Sequence, residues 1–329
     1  MVDLELSERP LDELAAEALL LRQLRHPHLL PLHCSFVAGS ELWMVSPLAA
    51  GDAASLLRRR YPSGLPEPLL ATLARDVLSA LDYLHRQAGV THRDVKAANV
   101  LVDDGGLALL ADLGAAAWCG GGSGGGDSEV QLTTFAGSPC WMAPEVAAGE
   151  PYDWRADIWS FGITLLELAR GRPPYYSLPQ RELWTQLVHG EPPALEDEPM
   201  GRRWSRELKD LVARCLQRDP AGRPSAAQVS GRCSCRAQRL SGWLRRQLPC
   251  PAASPAPASP ASPARMIPTP SPRPCPCTLP LQLLQHRFFR QAKGPRLVRS
   301  LLLEGPGGPQ TPPAGSLHSQ RSVPSAGRY

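Results

Sequence analysis

The sequence predicts an α+β fold in which short strands lead into a larger, mainly helical part. Short β-rich runs occur in two pairs, at 34–45 and at 100–110, and a turn joins the members of each pair, which predicts two hairpins. Elsewhere, apolar residues recur at three- and four-residue steps, the spacing of amphipathic helices. With 329 residues, the chain can form one large domain or two smaller ones around a real core.

Composition argues against two classes of partner. Charged residues make up 20% of the chain and the net charge is only +4, so neither nucleic acid nor a membrane surface is indicated. The basic run Arg58–Arg60 lies on one short predicted helix without interleaved aromatic residues, which also disfavours nucleic acid. No apolar run approaches the length of a membrane span, and acidic residues follow Met1 where a signal peptide has basic ones. We therefore expect a cytoplasmic protein with reduced thiols.

The first part of the chain alternates between extended and helical patterns. After an alternating run at residues 2–6, Leu11–Leu24 carries an apolar stripe typical of a helix, with Glu17 on its flank. The first hairpin follows, with Gly39 in its turn, and Glu67–Arg86 then forms a long amphipathic helix that leads to the second hairpin. Three further helices are expected, at 157–168, 184–188 and 204–216.

Two motifs carry the functional interpretation. Residues Thr91–Asn99 read Thr-His-Arg-Asp-Val-Lys-Ala-Ala-Asn, and Asp112–Gly114 read Asp-Leu-Gly. The first resembles the catalytic loop of eukaryotic protein kinases, His-Arg-Asp-x-x-x-x-Asn. The second resembles the Asp-Phe-Gly motif of that family, with leucine for phenylalanine. A charged surface loop explains one such match by chance, but two in the correct order leave that explanation little room.

The resemblance implies a role for each polar residue of the two motifs. Asp94 is expected to accept the proton of the attacking hydroxyl, and Lys96 to neutralise charge on the transferred phosphoryl group. Asn99 and Asp112 are expected to hold magnesium ions that accompany ATP. His92 is expected to pack and to orient its neighbours, without taking part in the chemistry.

The stretch Thr134–Glu145 narrows the resemblance. It reads Thr-Phe-Ala-Gly-Ser-Pro-Cys-Trp-Met-Ala-Pro-Glu and is similar to the sterile-twenty-like, germinal-centre serine/threonine kinases, nearest their Fray/SPAK-like branch. Ala136 and Ser138 differ from that branch's usual sequence. The resemblance implies that Ser138 contacts the catalytic aspartate and helps select Ser or Thr substrates. It also implies that an upstream kinase phosphorylates Thr134, whose phosphate can pair with Arg93; an unmodified loop threonine remains the alternative.

The same resemblance assigns the nucleotide site. Glu17 corresponds to the helix glutamate that pairs with a lysine on the third strand of the family. Ser46 lies at the back of the adenine pocket, and Leu48 belongs to the following hinge, whose backbone groups are expected to bind adenine. Leu101 is expected to form the floor under the base. ATP and Mg²⁺ are therefore the implied cofactors.

Three further residues are implied to be structural. Asp157 is expected to anchor the backbone of the catalytic loop, and Glu145 is expected to form a buried ion pair with Arg223. The fold implied is the two-lobed, protein-kinase-like α+β fold, with an incomplete N-lobe at residues 1–46 and a mainly helical C-lobe at 47–228 plus 283–292.

The chain departs from the family pattern at its front. The family carries a glycine-rich loop and then a strand with Ala-Val-Lys shortly before a run like Asp3-Leu4-Glu5, so that this lysine falls before Met1. No lysine precedes Lys96 in the sequence. The expected function is ATP-dependent phosphorylation of protein Ser or Thr, and the alternative is a catalytically impaired, pseudokinase-like scaffold or an incomplete gene product. For this chain we expect little or no activity.

The second departure is an insertion near the end. Joining Gln228 directly to Leu283 restores a family ending like Leu-Leu-x-His-x-Phe-Phe, so residues 229–282, rich in Pro and Cys, read as a disordered insert. Two explanations stay open for this insert: a translated intron, and a regulatory segment with several Ser-Pro or Thr-Pro sites. Residues 293–329, rich in Gly, Pro and Ser, read as a disordered tail.

Overall fold

The computed structural model describes residues 2–7, 11–119, 131–197, 202–226 and 286–303. The strands are β1 (Val2–Asp3), β2 (Cys34–Ala38), β3 (Glu41–Val45), β4 (Gly51–Asp52), β5 (Val90–Thr91), β6 (Val100–Val102), β7 (Ala108–Leu110) and β8 (Ala117–Trp118). The α-helices are α1 (Leu11–Gln23), α2 (Ala53–Arg60), α3 (Glu67–Tyr83), α4 (Pro144–Ala147), α5 (Arg155–Arg170), α6 (Gln180–His189), α7 (Arg206–Cys215) and α8 (Pro295–Val298). The predicted α+β class is confirmed.

Strands β1, β2 and β3 form a small antiparallel sheet in the order β1-β3-β2. The first predicted hairpin is confirmed, with Cys34 opposite Val45 and Ala38 opposite Glu41. The turn between its strands contains Gly39 at a φ of 61°, a conformation that glycine adopts without a steric penalty. Helix α1 buries Leu14 and Leu20, and Leu24, directly after the helix, is also buried.

A second small sheet carries the chain into the helical part. Its order is β4-β6-β7, and β6 and β7 form the second predicted hairpin, from Val100 opposite Leu110 to Val102 opposite Ala108. The segment before β2 joins this sheet, because the N–H of Leu110 donates to His28 O at 2.8 Å and that of Leu30 donates to Leu110 O at 2.9 Å. The segment that leads into the first hairpin is therefore bound to the second sheet.

Helices α3 and α5 form the centre of the helical part. Fourteen of the residues of α5 are buried, and Gly162 lies where a Cβ atom would come within 2.8 Å of Cys215 Cβ on α7. Glycine at this position therefore allows α5 and α7 to approach closely. Within the described residues, none of the helices has the length and apolar character needed to cross a membrane.

The last described segment, 286–303, packs against the helical part and corrects one prediction. Residues 293–329 were expected to be disordered, yet Pro295–Leu303 forms helical turns in which Val298 and Leu302 are buried. These two side chains are four residues apart and so share one helical face, which contacts α3 and joins the main core. Amino-acid composition alone does not show that these two side chains pack against α3. The predicted insert at 229–282 and the remaining tail at 304–329 lie outside the described residues.

Candidate active site

The loop between β5 and β6 is held from below by helix α5. The Asp157 carboxylate, fully buried on that helix, accepts the backbone N–H groups of His92 at 2.8 Å and Arg93 at 2.7 Å. Arg93 has a φ of 68°, in the left-handed region that costs a non-glycine residue about 1–2 kcal/mol. The two hydrogen bonds fix the loop in this unfavourable conformation, so Asp157 sets the direction of the residues that follow.

The His85 ring keeps the Asp157 carboxylate ionised. Burial by itself raises the pKa of this group, but the hydrogen bond from His85 Nε2, at 2.7 Å, and the charge of that ring outweigh the effect. The backbone N–H of His92 contributes in the same direction, so the pKa of Asp157 lies below its ordinary value. His85, which sequence reasoning missed, therefore supports the anchor of the loop.

Asp94 lies at the centre of a set of convergent hydrogen bonds. Its Oδ2 atom accepts Lys96 Nζ at 2.7 Å and Asn99 Nδ2 at 3.0 Å, and its Oδ1 atom accepts the backbone N–H of Ser138 at 3.0 Å. Lys96 Nζ also donates to Ser138 Oγ at 2.7 Å. An acid, a cation, an amide and a hydroxyl from two separate segments thus meet at one point.

The charge state of Asp94 follows from these contacts. Burial raises the pKa of the Asp94 carboxyl, but the hydrogen bond and positive charge of Lys96 lower it, with smaller contributions from Ser138 and His92. The lowering effects prevail, so the pKa lies below its ordinary value and the group is ionised at neutral pH. An ionised carboxylate can orient an incoming hydroxyl and accept its proton.

The residue before Asp112, Ala111, is bound to the catalytic loop through His92 and Asn99. His92 Nε2 lies 3.0 Å from Ala111 O, and the N–H of Ala111 donates to Asn99 O at 2.9 Å. Asp112 itself has a φ of 64° and accepts the N–H of Gly114 at 3.3 Å. Ala111, directly before Asp112, therefore lies beside Asn99, at the edge of the cluster that Lys96, Asn99 and Ser138 form around Asp94.

The oxygen donors of Asp112 and Asn99 are of the type that a magnesium ion binds. Mg²⁺ prefers oxygen ligands, in particular carboxylates, together with waters and substrate phosphates. Asp112 supplies a carboxylate. Because the Asn99 amide nitrogen donates to Asp94 O at 2.8 Å and to Asp94 Oδ2, its Oδ1 atom is the one it can offer to a cation.

Three of the four predicted nucleotide-site residues lie on or between the two small sheets, and the fourth lies on α1. Ser46 directly follows β3, and Leu48 lies two residues further with 78% of its surface exposed. In the described part of the chain, the backbone N–H and C=O of Leu48 take no hydrogen bond, so both can pair with a planar donor and acceptor such as adenine. Leu101 lies on β6 opposite Asp52, and Glu17 lies on α1, half-buried.

The segment after residue 131 is tied to the catalytic loop through Arg93. The Arg93 guanidinium donates from Nη1 to Thr134 Oγ1 at 2.5 Å and to Tyr152 OH at 3.4 Å, and from Nε to Ala115 O. Tyr152 OH in turn donates to Thr134 O at 2.7 Å. Thr134 is exposed, so its hydroxyl is accessible to an enzyme while it lies beside a guanidinium.

Glu145 and Arg223 form a buried bidentate ion pair. Arg223 Nη2 donates to Glu145 Oε2 at 2.8 Å and Nη1 donates to Oε1, with both residues less than a tenth exposed. The guanidinium also donates from Nε to Gln217 O at 2.7 Å. Removing one partner of such a pair leaves an uncompensated buried charge and typically costs about 3–5 kcal/mol.

Sequence reasoning missed three polar residues that follow Asp157 on α5. Ser160 Oγ donates to Trp141 O at 2.7 Å and Thr164 Oγ1 donates to Val95 O at 3.1 Å. Glu167 Oε2 accepts the N–H of Ala97 at 2.9 Å and the indole N–H of Trp141 at 3.0 Å. Their steps of three and four residues from Asp157 place them on one helix face, a signal that was available in the sequence.

Comparison with known proteins gives one family. A model described as "Protein kinase domain" matches residues 3–232. The chain is 37% identical over 231 residues to the serine/threonine-protein kinase fray2 of Dictyostelium discoideum, an alignment that covers 70% of this chain and 22% of that protein. It is 39% identical over 205 residues to fray1 of the same organism, covering 62% of this chain and 35% of that protein.

A nematode relative gives a similar result. The chain is 37% identical over 245 residues to germinal center kinase 3 of Caenorhabditis elegans, covering 69% of this chain and 41% of that protein. The chain therefore spans between 22% and 41% of the length of these three curated relatives.

Proposed function

Because the chain belongs to the protein kinase family, we propose that it transfers the γ-phosphoryl group of ATP to serine or threonine hydroxyls of protein substrates. The observation that carries the proposal is the convergence of Lys96, Asn99 and Ser138 on the Asp94 carboxylate. Phosphoryl transfer depends on positioning and on stabilising negative charge, and this cluster supplies both from neighbouring side chains.

The proposed roles follow from the contacts of each group. Asp94 orients the acceptor hydroxyl and takes its proton, because its carboxylate is ionised. Lys96 balances the charge on the transferred group; its simultaneous contact with Ser138, at 2.7 Å, aligns the loop that presents the substrate. The new bond joins the acceptor oxygen to the γ-phosphorus, and the bond from that phosphorus to the leaving ADP oxygen breaks.

Asn99 and Asp112 are the proposed magnesium ligands. The metal, when bound with ATP, neutralises phosphate charge and aligns the phosphates. In this proposal the backbone of the segment around Leu48 receives the adenine base, with Ser46 behind it and Leu101 beneath it. Since ATP and magnesium ions are abundant in the cytoplasm, the proposal includes a cytoplasmic location.

We also propose that an upstream kinase phosphorylates Thr134. Its hydroxyl already lies 2.5 Å from Arg93 Nη1, and Arg93 directly precedes Asp94 in the loop. A phosphate at this position adds strong acceptors for the guanidinium and so stabilises the contact between the two segments. Phosphopeptide mapping of protein isolated from cells tests this site, and a Thr134 that stays unmodified under all conditions contradicts it.

Transfer of labelled phosphate from ATP to a serine- and threonine-rich acceptor protein tests the main proposal. Because no lysine precedes Lys96 in the sequence, we expect the labelling to be slow, to require Mg²⁺, and to occur on Ser or Thr but not on Tyr. The D94N variant should lose about a hundred- to ten-thousand-fold in rate, the usual contribution of a positioned acid or base. A labelling rate that D94N does not change, or that persists without a divalent cation, contradicts the proposal.

A further inference from the structure

Helix α5 presents a stripe of four polar side chains to the two segments that form the site. Of these, Asp157 and Thr164 bind the catalytic loop, and Ser160 binds the carbonyl of Trp141. Glu167, at the end of the stripe, binds both segments at once. A single carboxylate oxygen therefore connects two chain segments that are far apart in sequence.

The two N–H groups that Glu167 binds belong to residues close in sequence to Lys96 and Ser138, which meet at Asp94. Ala97, whose N–H donates to Oε2 at 2.9 Å, directly follows Lys96. Trp141, whose indole N–H donates to the same oxygen at 3.0 Å, ends the helical turn Pro139–Trp141 that begins after Ser138. The contact of Lys96 Nζ with Ser138 Oγ, at 2.7 Å, is thus made by the same two segments.

We propose that Glu167 is a positioning residue for phosphoryl transfer. Its carboxylate holds the catalytic loop and the Pro139–Trp141 turn in the relative position, here called their register, at which Lys96 contacts Ser138. The inference rests on the proposed function, because this register affects a rate only if an acceptor hydroxyl is presented to Asp94. Glu167 acts through Ala97 and Trp141 and touches no reacting atom.

The electrostatic surroundings make this contact dependent on pH. Burial raises the pKa of Glu167 to about 7, although the N–H groups of Ala97 and Trp141 and the charges of Lys96 and Arg58 favour the ionised form. The charged groups that face Glu167 are Lys96 from the catalytic loop and Arg58 from α2. The Cys140 thiol faces it from the Pro139–Trp141 turn. Near neutral pH both forms of Glu167 are populated, and only the carboxylate accepts both N–H groups at full strength.

Nuclear magnetic resonance of the indole N–H of Trp141 tests the contact without any need for catalysis. In the wild type we expect this resonance to shift with pH with a midpoint of about 7, as Glu167 ionises. In E167Q it should stay constant, because the amide does not titrate. A Trp141 resonance that is unaffected by pH in the wild type overturns the proposal.

The W141F variant gives a second, independent reading of the same carboxyl group. Phenylalanine keeps most of the ring but lacks the N–H that stabilises the ionised form, so the pKa of Glu167 should rise. The backbone N–H resonance of Ala97, the other partner, should then titrate with a midpoint at higher pH than in the wild type. An unchanged midpoint shows that the indole does not bind the carboxylate and overturns the proposal.

Kinetics test whether the register matters for the reaction. E167L should lower kcat/KM by about ten- to a hundred-fold through the loss of two hydrogen bonds to a charged group. E167Q, whose amide oxygen can still accept both, should restore most of this and should remove the pH dependence between about pH 6 and about pH 8. The matched control is E182Q on α6, an exposed glutamate, which should leave both the rate and the pH profile unchanged.

The two kinds of measurement separate this inference from the proposed function. An E167L protein that phosphorylates its substrate as fast as the wild type overturns the positioning role. A protein that transfers no phosphate even after a glycine-rich loop and a lysine-bearing strand are added before Val2 contradicts the proposed function alone. In that case, the resonances of Trp141 and Ala97 still decide whether Glu167 couples the two segments. If E167L fails to fold, W141F and E167Q carry the test by themselves.

Discussion

At the scale of single residues, Lys96 balances the negative charge of the Asp94 carboxylate. Its ammonium group donates to Asp94 Oδ2 and to Ser138 Oγ, both at 2.7 Å. Burial of Asp94 acts to raise the pKa of its carboxyl, and Lys96 supplies the main opposing effect. The lysine therefore keeps Asp94 ionised, and in the proposed function it also offers a cation to the transferred phosphoryl group.

Replacing Lys96 by methionine should reveal both consequences. Without the ammonium group, burial prevails and the pKa of Asp94 should rise, so that the carboxylate forms only at higher pH than in the wild type. The carboxyl carbon resonance of Asp94, followed in a pH titration, measures this shift directly. The rate of phosphoryl transfer should fall by about a hundred- to a thousand-fold, as when one stabilising group is removed elsewhere.

Lys209 provides the matched control for this substitution. It forms an ion pair with Asp197 at 2.8 Å on the surface, where solvent and salt screen the attraction between the two charges. K209M should therefore leave the rate and the titration of Asp94 unchanged. An Asp94 titration in K96M that matches that of K209M means that Lys96 does not set the charge state of the site.

At the scale of elements, the segment 286–303 is part of the helical lobe although it lies beyond the family match at 3–232. Arg60, at the end of α2, donates to Leu301 O at 3.3 Å and to Leu303 O at 3.4 Å. The turn between β6 and β7 contacts the same segment, since a Cβ atom on Gly106 would lie 2.2 Å from Pro295 O. The segment thus connects α2 to the strand β6 that carries Leu101.

Replacing Gly106 by alanine should loosen this connection. Gly106 has a φ of 84°, so alanine is strained there and also collides with the backbone of Pro295 and Arg299. We expect a loss in the free energy of unfolding of about 2–4 kcal/mol, the sum of backbone strain and overpacking. Urea denaturation measures the loss, and limited proteolysis should cut the segment 293–303 faster than in the wild type.

Gly39 is the control, because it has a similar φ of 61° but nothing within 4 Å of its Cβ position. G39A should cost only the backbone strain, about 1–2 kcal/mol, and should not change proteolysis near residue 300. If G39A and G106A are equally destabilising, the last segment does not pack against the β6–β7 turn as described.

At the scale of the whole molecule, periodicity and motifs predicted most of the architecture. The two hairpins were recognised because their β-rich runs flank short turns, and the long helices because their apolar residues recur at helical steps. The resemblance to the germinal-centre, Fray-like kinases is confirmed by relatives at 37–39% identity. These signals are local in sequence, and local signals can be read from a single chain.

The features that were missed depend on contacts between distant segments. Glu167 continues a polar stripe on α5 that the sequence spacing shows, but the spacing does not show that Ala97 and Trp141 bind it. Val298 and Leu302 lie in a stretch whose composition indicates disorder, and only the surface offered by α3 explains their burial. Periodicity can show which face of a helix is polar or apolar, but it does not show which distant segment packs against that face.

The last prediction concerns the cation that the family resemblance places on a strand before Asp3. The 329 residues contain no lysine before Lys96, and in the proposed function Lys96 is the lysine that meets the transferred phosphoryl group. A chimera that places the glycine-rich loop and lysine-bearing strand of a fray-type relative before Val2 supplies a second one beside Glu17. We expect it to phosphorylate its substrate about a hundred- to a thousand-fold faster than the 329-residue chain.

Changing the added lysine to methionine in the chimera separates its charge from the added strands. If the charge is what matters, this variant should lose most of the gain in rate but should keep any gain in thermal stability, because the added strands still extend the sheet at β1. The 329-residue chain and both chimeras are compared at the same ATP and Mg²⁺ concentrations. Equal rates for all three proteins would mean that Asp94, Lys96, Asn99 and Asp112 support transfer without the upstream cation, contrary to this prediction.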